Sequence, residues 1–190
     1  MSLPVKKGDG YTYADILAWE DNQRYELHHG KVIALASPTD IHQGISGEIF
    51  AQLFNYLKGK RCKAYYAPLD VRLFETEDDR PEDVDTVVQP DLMVVCDLKK
   101  VDRRGIHGAP DLVIEILSDS TRRYDCQVKY KMYQAAGVQE YWIVDPAAHT
   151  VAVHILENGL YNSPDFYMSG AVVPVSVLEN CSVDFGQVFE

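Results

Sequence analysis

Apolar residues recur along the chain with two different periods, and each period predicts its own kind of element. Between Asp40 and Leu57 the spacing is four residues, which predicts an amphipathic helix with one buried stripe. The stripe consists of Ile45, Ile49, Leu53 and Leu57. The segment "RYELHHGKVIALAS" contains two extended runs around Gly30 and predicts a β-hairpin with Glu26 and His28 on one face.

Three further runs are rich in β-branched and aromatic residues and predict neighbouring antiparallel strands. They are "KAYYAPLDVRLF", "VVQPDLMVVCD" and "GAPDLVIEILS". A second helix is expected over "DCQVKYKMYQAAG", capped by Asp125 and ended by Gly137. A buried strand "EYWIVDP" and a β-rich tail with a turn at 158–159 follow. The order of elements predicts an α/β (or α+β) fold, a mixed sheet flanked by helices with extra β-hairpins.

Length and composition set limits on the class of protein. The chain has 190 residues, 46% of them hydrophobic, which fits one domain over 1–190. No apolar run reaches the roughly 20 residues of a membrane helix, and the first residues lack the apolar core of a signal peptide. A cytoplasmic location is therefore expected. The widely spaced cysteines predict reduced thiols. They are Cys62, Cys96, Cys126 and Cys181.

Two Pro-Asp pairs each begin an apolar run and are candidates for metal-site chemistry. Asp111 and Glu115 share one strand face but lie four residues apart, roughly 13 Å, too far to chelate one metal ion together. If the neighbouring runs pair about 4.8 Å apart, Asp91 can approach Glu115. Two such carboxylates form a hard oxygen site for Mg²⁺ or Mn²⁺. Asp91 and Glu115 are therefore predicted as metal-binding catalytic residues, and Asp111 as a structural residue.

Phosphodiester hydrolysis at such a site also needs a cation near the developing negative charge. Leu117 stands two places after Glu115 and cannot supply it, so the following helix is the candidate source. On a helical wheel of 100° per residue counted from Val128, the apolar stripe is centred near 30°. Lys129 lies at about 100° and Lys131 at about 300°, so Lys129 is better placed to reach the sheet.

Several segments between about Tyr25 and Pro146 resemble the Uma family of nucleases in the PD-(D/E)XK, or restriction-endonuclease-like, superfamily. They are "YELHHGKV", "SPTDIHQGISGEI", "PLDVRL", "VVQPDLMVV", "GAPDLVIEILSDSTRRYD" and "KYKMYQAAGVQEYWIVDP". The resemblance implies an α-β-β-β-α-β core, a divalent metal, DNA as substrate and the possibility of a homodimer. It assigns the two superfamily acids to Asp91 and Glu115, the lysine to Lys129 and an additional metal-binding acid to Glu26.

Some alternatives stay open at this level. The net charge of −11 opposes non-specific DNA binding, because phosphate contacts come mainly from Lys and Arg. Part of that acidity lies in "FETEDDRPEDVD", which reads as a solvated loop. A non-catalytic binding module with a nuclease fold, or a hydrolase of small phosphoesters, would suit an acidic protein. His42 faces inward one turn before Ile45, either as a satisfied core residue or as part of the site.

Overall fold

A mixed seven-stranded β-sheet forms the centre of the fold in the computed structural model, which describes residues 10–21, 23–76, 78–118 and 122–189. The strands are β1 (Tyr25–His28), β2 (Lys31–Ala34), β3 (Lys63–Tyr66), β4 (Val71–Arg72), β5 (Leu92–Val95), β6 (Val101–Asp102), β7 (Gly105–His107), β8 (Leu112–Ile116), β9 (Glu140–Asp145), β10 (Thr150–Glu157), β11 (Leu160–Tyr161), β12 (Asp165–Met168), β13 (Val172–Pro174) and β14 (Ser182–Asp184). The helices are α1 (Tyr13–Leu17), α2 (Asp40–Leu57), α3 (Arg122–Tyr124), α4 (Tyr130–Ala136) and α5 (Phe185–Val188).

The central sheet has the strand order β11-β10-β9-β8-β5-β3, and β12 also pairs with β10. The pairing of β8 with β9 is parallel, and the other pairings are antiparallel. The predicted neighbours β3, β5 and β8 are thus adjacent and antiparallel, and the predicted mixed α/β fold is confirmed. Smaller sheets are formed by β1-β2, β13-β14 and β4-β7-β6.

Helices cover both faces of the central sheet. The predicted stripe of α2 is buried against one face, where it meets the alternate residues Leu112, Ile114 and Ile116 of β8. On the opposite face Met132 and Tyr133 of α4 pack beside Val113. Glu115 has the same parity as Val113 and therefore belongs to the α4 face.

The N-terminal elements join the central sheet through the segment before β5. Thr12 and Asp15 form a capping box at the start of α1, with Asp15 Oδ2 accepting from Thr12 N at 2.7 Å. In the predicted hairpin, Leu27 N donates to Val87 O at 2.7 Å. Every residue of β1 is buried, so both of its faces are covered.

The second long helical segment differs from its prediction. It begins at Arg122, and a π-helical turn over Asp125–Lys129 connects α3 to α4. Asp125 is therefore inside the segment and buried, and its predicted role as a cap is wrong. Val128 is exposed, because a π-helical turn pairs residues five apart and changes the angle between successive side chains. Gly137 ends the segment as predicted, with a φ of 87°.

The prediction of four reduced cysteines is also wrong. Cys62 and Cys96 form a disulfide, whereas Cys126 and Cys181 are free. Cys62 directly precedes β3 and Cys96 directly follows β5, so the antiparallel pairing of Lys63 with Val95 brings the two cysteines side by side. The sequence separation of 34 hid this proximity. Within the described ranges, no helix combines the length and the apolar character needed to cross a membrane.

Candidate active site

The pairing of β5 with β8 brings Asp91 and Glu115 together. Leu92 pairs with Ile114, so the residues next to this pair, Asp91 and Glu115, stand opposite each other across the two strands. The backbone N–H of Ile116 donates to Asp91 Oδ2 at 2.8 Å. The structure therefore places Asp91, which directly precedes β5, beside Glu115 of β8.

Lys129 reaches this pair from the π-helical turn and is buried. Its Nζ lies 3.0 Å from Glu115 Oε1, 3.0 Å from Glu26 Oε1 and 3.6 Å from Asp125 Oδ1. Lys131 is exposed on α4. The structure thus brings the chosen lysine into contact with two of the three predicted acids, Glu115 and Glu26, although the helical wheel that favoured Lys129 assumed regular α-helical geometry.

Both carboxylate oxygens of Glu26 have hydrogen-bond partners. Oε1 accepts from the backbone N–H of Gln89 at 2.8 Å besides contacting Lys129, and Oε2 lies 2.9 Å from His28 Nε2. Gln89 belongs to the segment that leads into Asp91, so Glu26 ties the hairpin to that segment. These contacts favour a role for Glu26 in positioning Lys129, and its role as a metal ligand stays a prediction.

Three residues of the cluster were not identified as site residues from the sequence. Tyr133 donates its hydroxyl to Glu115 Oε1 at 2.5 Å, His28 contacts Glu26, and Asp125 contacts Lys129. His28 shares the predicted strand face of Glu26, and this shared face was a usable signal. Tyr133 and Asp125 gave no comparable signal, because their orientation depends on the π-helical turn.

His42 contacts Asp91 from the first turn of α2. Its Nε2 lies 3.0 Å from Asp91 Oδ2, which makes it part of the candidate site rather than a core residue satisfied elsewhere. The side chains of Asp91 and His42 retain 20% and 13% of their exposure, whereas Glu26 and Glu115 are buried. Solvent and ligands therefore reach the cluster from the Asp91 side.

The ionisable groups of the cluster shift each other's pKa values. Burial raises the pKa of Glu115 well above its ordinary value, and neighbouring carboxylates add to the shift against the opposing effect of Lys129. Burial acts in the same direction on Glu26, but Lys129 and His28 outweigh it and lower the pKa of Glu26 to about 2. Burial opposes the charge of Lys129, yet Glu115, Glu26 and Asp125 raise its pKa well above the ordinary value. The cluster thus holds more carboxyl groups than one ammonium can neutralise.

The donor set fits a hard divalent cation that keeps several of its waters. Lys129 and Tyr133 both contact Oε1 of Glu115, and His42 and Ile116 both contact Oδ2 of Asp91. Neither set of contacts uses the second oxygen of the carboxylate. Across the described part of the chain, no group of three or more His, Cys, Asp and Glu side chains is arranged to hold a metal ion. Two carboxylates completed by water and phosphate oxygens are the arrangement that suits Mg²⁺.

Asp111 of the second Pro-Asp pair and Arg122 at the start of α3 both contact other segments of the fold. Asp111 accepts a hydrogen bond from the backbone N–H of Cys96 at 2.7 Å, at the opposite end of β8 from Glu115. Arg122 forms a bidentate ion pair with Asp145 at 2.6 and 2.9 Å. The contact of Asp111 with Cys96 agrees with the argument from strand spacing, which predicted a structural role for Asp111.

Comparisons with known proteins agree with this fold. The family model described as "Uma2: Putative restriction endonuclease" matches residues 13–186. An uncharacterized protein of Synechocystis sp. is 28% identical over 133 residues, which are 68% of this chain and 66%, just under two thirds, of that relative. The crystal structure of "a putative nuclease belonging to DUF820" from Anabaena variabilis ATCC 29413 has a TM-score of 0.73 and 23% identity, covering 94% of this chain and 97% of that one. At this identity the structural match speaks for the fold alone, whereas the family match spans most of the sequence. The chain therefore belongs to the Uma2 family, whose members are described as putative restriction endonucleases.

Proposed function

We propose that the protein is a metal-dependent nuclease that hydrolyses phosphodiester bonds of DNA. The observation that carries the proposal is the convergence of three groups from separate elements. Asp91, directly before β5, stands opposite Glu115 of β8, and Lys129 Nζ lies 3.0 Å from Glu115 Oε1. The family description supports the nuclease activity.

Asp91 and Glu115 would hold Mg²⁺ or Mn²⁺ through the oxygens that their protein contacts leave unused. A bound cation of this kind supplies Lewis-acid polarisation of a phosphoryl oxygen and of the attacking water. His42 and the N–H of Ile116 fix the orientation of the Asp91 carboxylate through Oδ2. Tyr133 fixes Glu115 in the same way through Oε1.

Lys129 supplies the positive charge that phosphoryl transfer requires from the protein. Its raised pKa keeps the ammonium protonated, and burial strengthens its interaction with a phosphate that enters from the Asp91 side. Glu26 and Asp125 also contact the ammonium and hold it in place. Glu26 is in turn held by His28, so the lysine is positioned by a chain of contacts across the hairpin.

A second candidate is a binding module that has the nuclease fold without catalysis. The net charge of −11 favours it, because an acidic surface repels nucleic acid along most of its area. The two candidates share the fold and differ in metal binding and turnover.

Calorimetric titration with Mg²⁺ and Mn²⁺ separates the two candidates. Asp91→Asn should weaken binding at least about 10-fold, because it removes the charge of one of two protein ligands. Asp111→Asn is the matched control, since it alters the other Pro-Asp pair and should leave binding unchanged. Cleavage of plasmid, single-stranded and branched DNA by the same three proteins then tests turnover.

Distinct results contradict the distinct parts of the proposal. If the wild type binds neither metal, or if Asp91→Asn and wild type bind alike, the proposed site is wrong. If the wild type binds the metal at Asp91 but cuts none of the DNA forms, the non-catalytic module is the better description.

A further inference from the structure

A continuous aromatic and basic surface lies on α2 and β3, which we call the α2–β3 ridge. Its members are exposed or half-buried side chains from residues 50–66. They are Phe50, Phe54, Lys58, Lys60, Arg61, Lys63 and Tyr66. The proposed hydrolysis uses none of them.

The ridge begins at the candidate site. His42, Phe50 and Phe54 of α2 and its C-cap residue Lys58 are separated by multiples of four residues, so they follow one inclined line that turns around the helix by about 40° per four-residue step. Each four-residue step advances roughly 6 Å, and the line from His42 to Lys58 is roughly 24 Å long. Because His42 contacts Asp91, one end of this line is the open side of the carboxylate cluster.

The edge strand β3 connects the same two places. Lys63 at its start pairs with Val95, at the far end of β5 from Asp91. Tyr66 at its end is followed by Ala67, whose N–H donates to Asp91 O at 3.1 Å. The strand therefore runs from the basic part of the ridge to the backbone of the candidate site.

Two of the aromatic members are exposed although the aromatic side chains contact one another and Lys58 Nζ lies 5.4 Å from the centroid of the Phe54 ring. The ring centroids of Phe50 and Phe54 are 5.4 Å apart, and those of Phe50 and Tyr66 are 4.6 Å apart. Phe54 is 48% exposed and Tyr66 is 57% exposed. Exposed rings beside cations are the feature with which proteins stack the bases of single strands.

Among the residues that the structure describes, none of the basic members forms an ion pair with an Asp or Glu. No Asp or Glu occurs between Glu48 and Asp70, although the chain has 29 acidic residues. Lys58 Nζ donates to Asn55 Oδ1, Lys63 Nζ to Lys60 O and Arg61 Nε to Cys96 O, and all three acceptors are neutral. Elsewhere in the described chain Arg72, Arg80, Arg104, Arg122 and Lys129 all form ion pairs.

We infer that the α2–β3 ridge binds a single-stranded segment of nucleic acid, with bases stacked on Phe54 and Tyr66 and phosphates beside Lys58, Lys60, Arg61 and Lys63. The charge complementarity is local, which explains how a chain of net charge −11 can contact a polyanion. The direction of the bound strand toward Asp91 rests on the proposed nuclease function. Binding of the single strand to the ridge does not depend on that function.

Fluorescence anisotropy with a labelled oligothymidylate of about 12 nucleotides, in the presence of a chelator, tests the ridge without cleavage. Phe54→Ala and Tyr66→Ala should each raise the Kd about 5- to 100-fold, as expected for loss of one stacked base. Phe166→Ala is the matched control, because Phe166 is 70% exposed on β12, away from β3 in the sheet order, and should leave the Kd unchanged.

The salt dependence of the same binding tests the cations. Lys58→Ala should reduce the slope of log K against log salt concentration by about 0.7, the value for one phosphate contact on a single strand. Lys131→Ala, on an exposed lysine of α4, should leave the slope unchanged.

Phe54→Trp and Tyr66→Phe keep a ring at each position and should retain binding, which separates stacking from damage to the fold.

Three results would overturn the inference: equal binding of a duplex of the same sequence, equal binding of inorganic polyphosphate that is insensitive to Phe54→Ala, or equal effects of Phe166→Ala and Phe54→Ala. The proposed nuclease function is tested separately from single-strand binding by the ridge. Metal-dependent cleavage without single-strand binding would leave that function intact and reject the ridge, whereas ridge-dependent binding without cleavage would do the opposite.

Discussion

Two clusters of charged side chains are each centred on a buried cation, Arg72 or Lys129, and they differ in how their charges balance. Around Arg72 in the β4-β7-β6 sheet, Nε donates to Glu75 Oε2 at 2.6 Å and Nη2 donates to Asp102 Oδ2 at 2.7 Å. Arg104 Nη2 lies 3.1 Å from the other oxygen of Glu75. This cluster has two arginines for two carboxylates.

The cluster around Lys129 has one lysine for three carboxylates, with Asp91 beside them. The lysine contacts Glu26, Glu115 and Asp125, and Asp91 stands opposite Glu115. Burying uncompensated charge is costly, so a cluster retained for stability alone tends toward the balance seen at Arg72. Burial and the neighbouring carboxylates raise the pKa of Glu115, and an additional bound cation would relieve the same excess of acid.

Replacing Lys129 should give the largest effect on function. Lys129→Met removes the only lysine of the cluster, and the rate of DNA cleavage should fall about 10³-fold, the scale seen when a preorganised charge is lost from a transition state. Single-turnover cleavage in saturating Mg²⁺ measures this fall. Lys131→Ala is the matched control; if it abolished cleavage while Lys129→Met did not, the lysine assignment would be wrong.

Replacing Arg72 should have its main effect on stability. Arg72→Met leaves the buried Glu75 without its closest partner, so the free energy of unfolding should drop by about 3–5 kcal/mol in a denaturant titration. Arg80→Met breaks the exposed pair with Asp83 and should change the unfolding midpoint little. If both substitutions lowered the free energy of unfolding equally, burial would not explain a larger contribution from the Arg72–Glu75 pair than from the Arg80–Asp83 pair.

Acid should weaken the Lys129 cluster through Glu26. Its pKa is lowered to about 2 from an ordinary value of 4.5, so the folded state binds this proton less tightly than the unfolded state. The resulting stability is present above pH 4.5 and is lost as the pH falls toward 2. The difference in unfolding free energy between wild type and Glu26→Gln should therefore shrink by on the order of 2 kcal/mol between about pH 5 and about pH 3. A difference that stayed constant over this range would contradict the lowered pKa.

The parts of the fold that follow from strand and helix periodicity were predictable. The stripe of α2, the neighbouring strands β3, β5 and β8, and the approach of Asp91 to Glu115 depend on local spacing and on one pairing. Alternation along β1 also placed Glu26 and His28 on one face.

The remaining features depend on contacts that local spacing does not encode. The β4-β7-β6 sheet is built from strands of two or three residues, too short to give a periodic signal. The Cys62–Cys96 bridge required the strand order before the cysteines could be paired. The π-helical turn was invisible because its inward residues are Asp125 and Lys129, whereas its apolar Val128 faces solvent.

The π-helical turn makes the candidate site depend on helical phase as well as on residue identity. Deleting one residue from the turn, such as Gln127, would change the angle between Asp125 and Lys129 while every side chain of the site remained in the sequence. A relative could thus carry all the site residues and still lack the site. When members of the family are compared, the spacing of residues within this helical segment is therefore as informative about the presence of the site as the residues themselves.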